Sequence, residues 1–218
     1  MRLLLPQPDA ERPERVRLFE PAQSDRVVAE FQPLNPLGGN VPVLPDSSVD
    51  RLIVWSGTPA AAIDDADPRT WTGQAMNDFN RWCDGLLATD DRPARISFRL
   101  HARHVLSDVP GARRFLLDRD GQLGITPSPA TMLEPSMVAT LSEHLERFFE
   151  ELGSRADFIW LGDCVPDETT GWMRAVPLGQ GVMPQAVVRA LLAEHVPEET
   201  PVIVDAPDVD SARRWLSM

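Results

Sequence analysis

From residue 51 onward, short apolar runs alternate with longer stretches of helical periodicity. Residues 51–57 (RLIVWSG) read as a buried strand, after which Trp71, Met76, Phe79, Trp82, Cys83, Leu86 and Leu87 recur on one helical face. Residues 95–101 predict the next strand. Ser107 or Asp108 is placed to cap a helix with Pro110 in its first turn, running to about Asp118. Residues 122–127 predict a strand. Met137, Leu141, Leu145, Phe148, Phe149 and Leu152 then form a strong helical stripe, with Gly153 as its C′ terminator. Residues 156–162 predict a strand, and Val187, Val188, Leu191 and Leu192 a helix after Pro184. Residues 202–205 predict a strand, and Asp208 caps a last helix carrying Ala212, Trp215 and Leu216. This alternation implies a parallel sheet with right-handed crossovers.

The first 50 residues read differently. They hold many prolines, the Gly38-Gly39 pair and short β-like pieces at 2–6, 16–19 and 27–32. The gaps between these pieces are too short for a helical crossover, which needs ~10–12 residues or more. Strands joined by loops or hairpins are expected there, then an irregular Pro/Gly segment over 33–50. Periodicity alone leaves both a barrel and an open doubly wound sheet standing. No glycine-rich dinucleotide fingerprint follows any strand, which disfavours a Rossmann arrangement.

The last third carries a more specific signal. Phe158-Ile159-Trp160-Leu161-Gly162-Asp163 precedes Val176-Pro177-Leu178-Gly179-Gln180-Gly181, a short helix, and Pro201-Val202-Ile203-Val204-Asp205. The order of strand, acidic end, glycine loop, helix, strand and acidic end resembles the end of the xylose-isomerase-like TIM barrels. That superfamily includes the sugar phosphate isomerases and epimerases and endonuclease IV. The resemblance is specific over about 156–205 and extends as strand order over 51–218. It implies an α/β fold, a trimmed or irregular TIM-type barrel with a non-regular N-terminal quarter. It also implies that function sits at the C-terminal strand ends.

The resemblance further implies divalent metal ligands there, and most are replaced. Ser128 stands at the place of an Asp and Thr131 at that of a His after the sixth strand. Trp160 and Gly162 take the His and Lys places at the seventh, where Asp163 alone remains. Asp205 fits the Glu of the eighth. On the fifth strand Ile96, Phe98 and Leu100 are expected to face covering helices. Arg95, Ser97, Arg99 and His101 then face the lumen, and Arg99 or His101 falls near an expected Glu. Arg99 is therefore expected between Asp163 and Asp205, in the place of a metal's charge. No metal or other cofactor is expected; a divalent metal follows only if this ligand alignment is wrong.

Composition narrows the rest. At 218 residues the chain suits one domain, 1–218, and is short for a barrel that usually takes ~250 residues. All 21 basic residues are arginine, so neither a Schiff-base lysine nor a P-loop lysine exists here. A net charge of −12 argues against a duplex-DNA partner. No apolar run reaches the ~20 residues that span a bilayer, and the N-terminal stretch is short for a signal peptide, so a cytoplasmic location is expected. Cys83 and Cys164 form no motif and are expected as reduced thiols.

The candidate residues follow. Asp163 and Asp205 are candidate catalytic groups, with loop capping as the plain alternative. Arg99, His101, Arg103 and His104 form a basic cluster suited to a phosphate or carboxylate, or simply paired with nearby acids. Ser128, Thr131 and Trp160 are candidate ligand contacts. Asp64-Asp65-Ala66-Asp67 and Asp118–Asp120 read as solvated turns. The expected function is a divergent barrel without the family's metal site that binds a sugar or sugar phosphate. The alternatives are a metal-independent isomerase, epimerase or lyase, with Asp163 or Asp205 as base, and an interaction subunit. A homo-oligomer is a further expectation.

Overall fold

Strands β1 (Arg2–Pro8), β2 (Val16–Glu20), β3 (Gln23–Phe31), β4 (Arg51–Trp55), β5 (Arg95–Arg99), β6 (Gly124–Thr126) and β7 (Ile159–Leu161) build most of one sheet. A separate hairpin of β8 (Asp163–Asp167) and β9 (Trp172–Val176) follows, and β10 (Pro201–Val204) is the sheet's eighth strand. The computed structural model describes residues 2–10, 15–21, 23–39, 49, 51–63, 65–88, 95–119, 121–206 and 209–216. The expected cap Asp208, the turn residues Asp64 and Asp120, and residues 40–48 and Asp50 of the Pro/Gly segment lie outside them.

The sheet runs β6-β5-β4-β3-β2-β1-β10-β7. Its two ends meet: the Asp157 amide donates to the Ile125 carbonyl at 3.0 Å and the Trp160 amide to the Pro127 carbonyl at 2.9 Å. The sheet therefore closes into a barrel rather than remaining an open doubly wound sheet. β2 runs antiparallel to β1 and β3, while the other strand pairings are parallel. The short connections of the first quarter dictate that reversal, since only hairpins fit them. Helices α1 (Gly73–Leu87), α2 (Val109–Arg119), α3 (Leu141–Leu152), α4 (Gln185–His195) and α5 (Val209–Leu216) belong to the later part. The result is an irregular TIM-type barrel, regular from β4 onward.

Strand alternation sorts the side chains into two cores. Leu52, Val54, Ile96, Phe98, Ile125, Leu161 and Val204 face outward and pack with Phe79 of α1, Phe115 of α2 and Phe149 of α3. Leu4, Leu18, Phe31, Ile53, Trp55, Phe158, Trp160 and Ile203 fill the lumen. At the N-terminal end of the barrel Asp157 takes ion pairs from Arg51 at 3.2 Å and Arg95 at 3.0 Å. Gly124 makes room for it, because a Cβ at that position would fall inside the Asp157 carboxylate.

Two local expectations need correction. Trp71 lies in the 3-10 turn Pro68–Trp71 ahead of α1 and is 49% exposed, so it leaves the core stripe. The stripe begins in α1 itself, which Thr72 caps by accepting from the Ala75 amide. Gly153 does not terminate α3 in a left-handed turn; its φ is −56°. A glycine is required there because a Cβ would meet the His195 carbonyl oxygen at 2.8 Å, where the ends of α3 and α4 touch. The cap at Asp108 is as expected: its carboxylate accepts from the Gly111 amide at 2.6 Å.

Candidate functional site

A cavity of about 540 Å³ opens at the C-terminal ends of the strands. Trp55, Arg99 and Asp205 form part of its lining at the strand ends. His101, Ala102 and Arg103 come from the segment after β5, Ala130 and Thr131 from that after β6, and Asp167 to Ala175 from the β8–β9 hairpin.

Arg99 is the centre of this end of the barrel. Parity points its side chain into the lumen, where it is 9% exposed. Its guanidinium carbon lies 3.7 Å from the Trp160 ring centre, 4.7 Å from that of Trp55 and 5.6 Å from that of Phe31. Three aromatic faces thus hold a desolvated cation, a cation–π arrangement that strengthens as water is removed. Arg99 Nη2 stands 3.8 Å from Asp205 Oδ2. The same oxygen accepts from Trp160 Nε1 at 2.8 Å, so Trp160 orients the carboxylate while its face carries the cation. Asp205 remains 39% exposed along its side chain and borders the cavity.

Asp163 has a different occupation. It is 1% exposed, and its carboxylate accepts from the amides of Cys164, Gly179, Gly181 and Met183 at 2.9 to 3.0 Å. Four backbone donors converge on two oxygens, which makes Asp163 the anchor of the glycine loop. A Cβ at Gly181 would collide with that carboxylate and with the Cys164 carbonyl. Arg99 pairs with Asp205, and no ion pair among the described residues joins it to Asp163. The loop-anchor alternative is the one this geometry supports for Asp163.

The segment after β5 is tightly tied. The Ala102 amide donates to the Thr131 carbonyl at 2.9 Å, and the Arg103 amide donates to His101 Nδ1 at 3.1 Å. His104 Nε2 sits 3.0 Å from the Ile63 carbonyl. The two imidazoles stack at 4.8 Å, and Trp55 presents its edge to both. Burial, with His104 and the arginines nearby, lowers the His101 pKa to about 2. Burial lowers that of His104 to about 4, partly opposed by its bond to Ile63. Both rings are neutral near pH 7. Arg103 stacks on Trp172 of the hairpin, 4.3 Å from the ring centre.

Among the described residues no three His, Cys, Asp or Glu side chains cluster as ligands. Thr131 Oγ1 donates to the Leu100 carbonyl at 2.7 Å, and Ser128 offers a neutral hydroxyl, fully buried and without a hydrogen-bond partner among the described residues. A permanent cation, Arg99, already fills the lumen beside Asp205. Hydroxyls and a guanidinium are poor company for a hard metal ion.

The structure brings Arg99, His101, Thr131, Asp163 and Asp205 to one cavity and Trp160 beneath it. His104 packs behind, and Ser128 does not border the cavity. Residues absent from the sequence expectation are Trp172 and Arg174, contributed by the hairpin. The alternation of Trp172, Arg174 and Val176 after Thr169-Thr170-Gly171, with Gly171 at φ 73°, is the signal that marks such a hairpin.

No family model and no curated protein matches the sequence. Solved structures do. The probable 3-DHS dehydratase involved in petrobactin synthesis from Bacillus anthracis matches at TM-score 0.48 and 11% identity, over 77% of this chain and 61% of that one. A D-psicose 3-epimerase matches at TM-score 0.48 and 14% identity, over 72% and 50%. A xylose isomerase-like TIM barrel protein from Mycobacterium smegmatis, in complex with magnesium, matches at TM-score 0.43 and 13% identity, over 80% and 60%. The chain is similar to xylose isomerase-like barrels. It spans about half to three fifths of the length of these structures. The barrel itself rests on this chain's own strand order and closing hydrogen bonds. No helix among the described residues is long and apolar enough to cross a membrane.

Proposed function

We propose that this chain is a divergent sugar isomerase- or epimerase-like barrel that binds a small carbohydrate-like ligand at its C-terminal mouth without a divalent metal. The observation that carries the reading is Arg99, a buried cation held by three rings and Asp205 at the floor of the cavity. It supplies fixed positive charge where a metal would, and it needs no exchangeable ligand. The aromatic floor and the polar rim suit a polyol with an apolar face.

The test is twofold. Protein purified without chelator and soaked in Mn²⁺ or Zn²⁺ is expected to retain no stoichiometric metal by elemental analysis. Calorimetric titration with a panel of sugars and sugar derivatives is expected to find a binder that Arg99→Met loses. Stoichiometric metal, or no binder across the panel, overturns the reading.

One observation favours catalysis at the same site. Asp205 is a solvent-reachable carboxylate beside a fixed cation, and a base with a positive partner can abstract a proton next to a carbonyl without a metal. A metal-independent isomerase, epimerase or lyase would use Asp205 as base and Arg99 or neutral His101 as the electrophilic partner. Turnover that disappears in Asp205→Asn with the fold intact supports this second reading; absence of turnover across the panel removes it.

A further inference from the structure

The imidazole of His101 is fixed both in plane and in rotation. Its face stacks on His104 with 4.8 Å between ring centres, and the Trp55 indole packs against it edge-on at 5.7 Å. Its rotation is set by the Arg103 backbone amide, which donates to Nδ1 at 3.1 Å. An amide N–H can only donate, so Nδ1 carries a lone pair and no proton. The titratable and charged groups facing the ring are His104, Arg103 and Arg99, and with burial they keep it neutral. A neutral imidazole has a single N–H, which here must sit on Nε2.

The two stacked rings differ in what they leave over. His104 Nε2 meets the Ile63 carbonyl, an acceptor only, so its proton is spent there, and its Nδ1 is buried and unpaired among the described residues. His101 Nε2 also has no hydrogen-bond partner among the described residues, yet it is not sealed in, and His101 borders the cavity while His104 does not. Other donors at this wall are committed. Thr131 Oγ1 donates to the Leu100 carbonyl, and Trp160 Nε1 donates to Asp205.

Resting on the metal-free binding role above, we propose that His101 is locked as its Nε2–H tautomer and serves as a permanent hydrogen-bond donor to the cavity, selecting ligands that place an acceptor oxygen against it. The backbone of Arg103, not its side chain, sets that proton. One ring nitrogen is protonated and the other is occupied, so His101 has no lone pair to offer the cavity. It therefore acts neither as a base nor as a metal ligand, and any proton abstraction at this mouth falls to Asp205.

Nitrogen-15 NMR of the full chain labelled at its histidine rings tests this, with the His101 signals assigned by their loss in His101→Gln. Between about pH 5 and 8 one bare nitrogen and one protonated nitrogen are expected, the proton on Nε2, with neither signal moving. Arg103→Gln keeps the backbone amide and is expected to leave this pattern unchanged. Dimethyl sulfoxide accepts hydrogen bonds and cannot donate them, and it is expected to shift the Nε2 signal saturably. Methylammonium chloride donates and cannot accept, and it is expected to leave that signal in place. A proton on Nδ1, a titration between about pH 5 and 8, a pattern changed by Arg103→Gln, a Nε2 signal that dimethyl sulfoxide does not move or one that methylammonium does move overturns the proposal. The binding role is judged separately, by the metal analysis and the sugar titration described above.

Discussion

The guanidinium of Arg99 lies 3.7 Å from the centre of the Trp160 indole, and the indole N–H in turn holds Asp205 at 2.8 Å. One aromatic ring thus fixes both charges of the pair, one on its face and one at its edge. Arg99→Lys keeps the charge and loses the planar stack. It is expected to destabilise the barrel by about 2 kcal/mol and to weaken ligand binding. Urea denaturation of the variant against the parent, with unchanged m-value, measures this.

Asp163→Asn tests the loop anchor. An amide offers one acceptor oxygen where four backbone donors converge, and its NH₂ faces donors instead. A loss of about 2–3 kcal/mol is expected, with faster hydrogen exchange at Gly179, Gly181 and Met183. Unchanged exchange at these amides would contradict the anchoring role.

Gly124→Ala places a methyl inside the carboxylate that gathers Arg51 and Arg95. About 1–3 kcal/mol of destabilisation is expected from the forced shift. The compensating double variant Gly124→Ala with Asp157→Ala should recover part of the steric cost while losing the ion pairs, which a thermal melt series resolves.

The two histidines after β5 make stability depend on acid. Their folded pKa values, about 2 for His101 and about 4 for His104, lie below the ordinary 6.5 of the unfolded chain. Below pH 6.5 the unfolded chain therefore binds protons that the folded one refuses, and stability falls as pH falls. The loss through His104 runs from about 6.5 down to about 4 and continues lower for His101. Each contributes a slope of about 1.4 kcal/mol per pH unit inside its window. His104→Gln is expected to flatten the curve between pH 6.5 and 4 relative to the parent.

Burial raises the thiol pKa of both Cys83 and Cys164 to about 12, assisted at Cys164 by Asp163. Neither thiol is expected to react with a disulfide reagent at pH 8 until denaturant is added. Rapid labelling of the folded protein would contradict their burial.

Much of this was legible in the chain, and for a physical reason. Period-2 alternation in Arg95 to Arg99 forces Ser97 and Arg99 to one side and Ile96 and Phe98 to the other, so the inward arginine follows from closure of the sheet. The short proline-bearing gaps before residue 50 likewise exclude helical crossovers. What stayed hidden depends on long-range geometry. Nothing local distinguishes Asp163, gripped by amides 16 to 20 residues away, from Asp205, which stays open to solvent. Gly153 looks like a helix terminator because the contact that requires it, with His195, comes from another helix. The β8–β9 hairpin falls between the motif that ends at Asp163 and the one that begins at Val176, so Trp172 and Arg174 stay hidden with it.

The barrel is closed between β6 and β7 by backbone bonds at Asp157 and Trp160, and among the described residues no ladder of paired strands reinforces that seam. Trp160 is at once a clasp of the seam and the ring beneath Arg99. The closing seam of the barrel and the aromatic support of Arg99 therefore share one residue. Hydrogen exchange at the Trp160 amide therefore reports opening of the seam beneath Arg99.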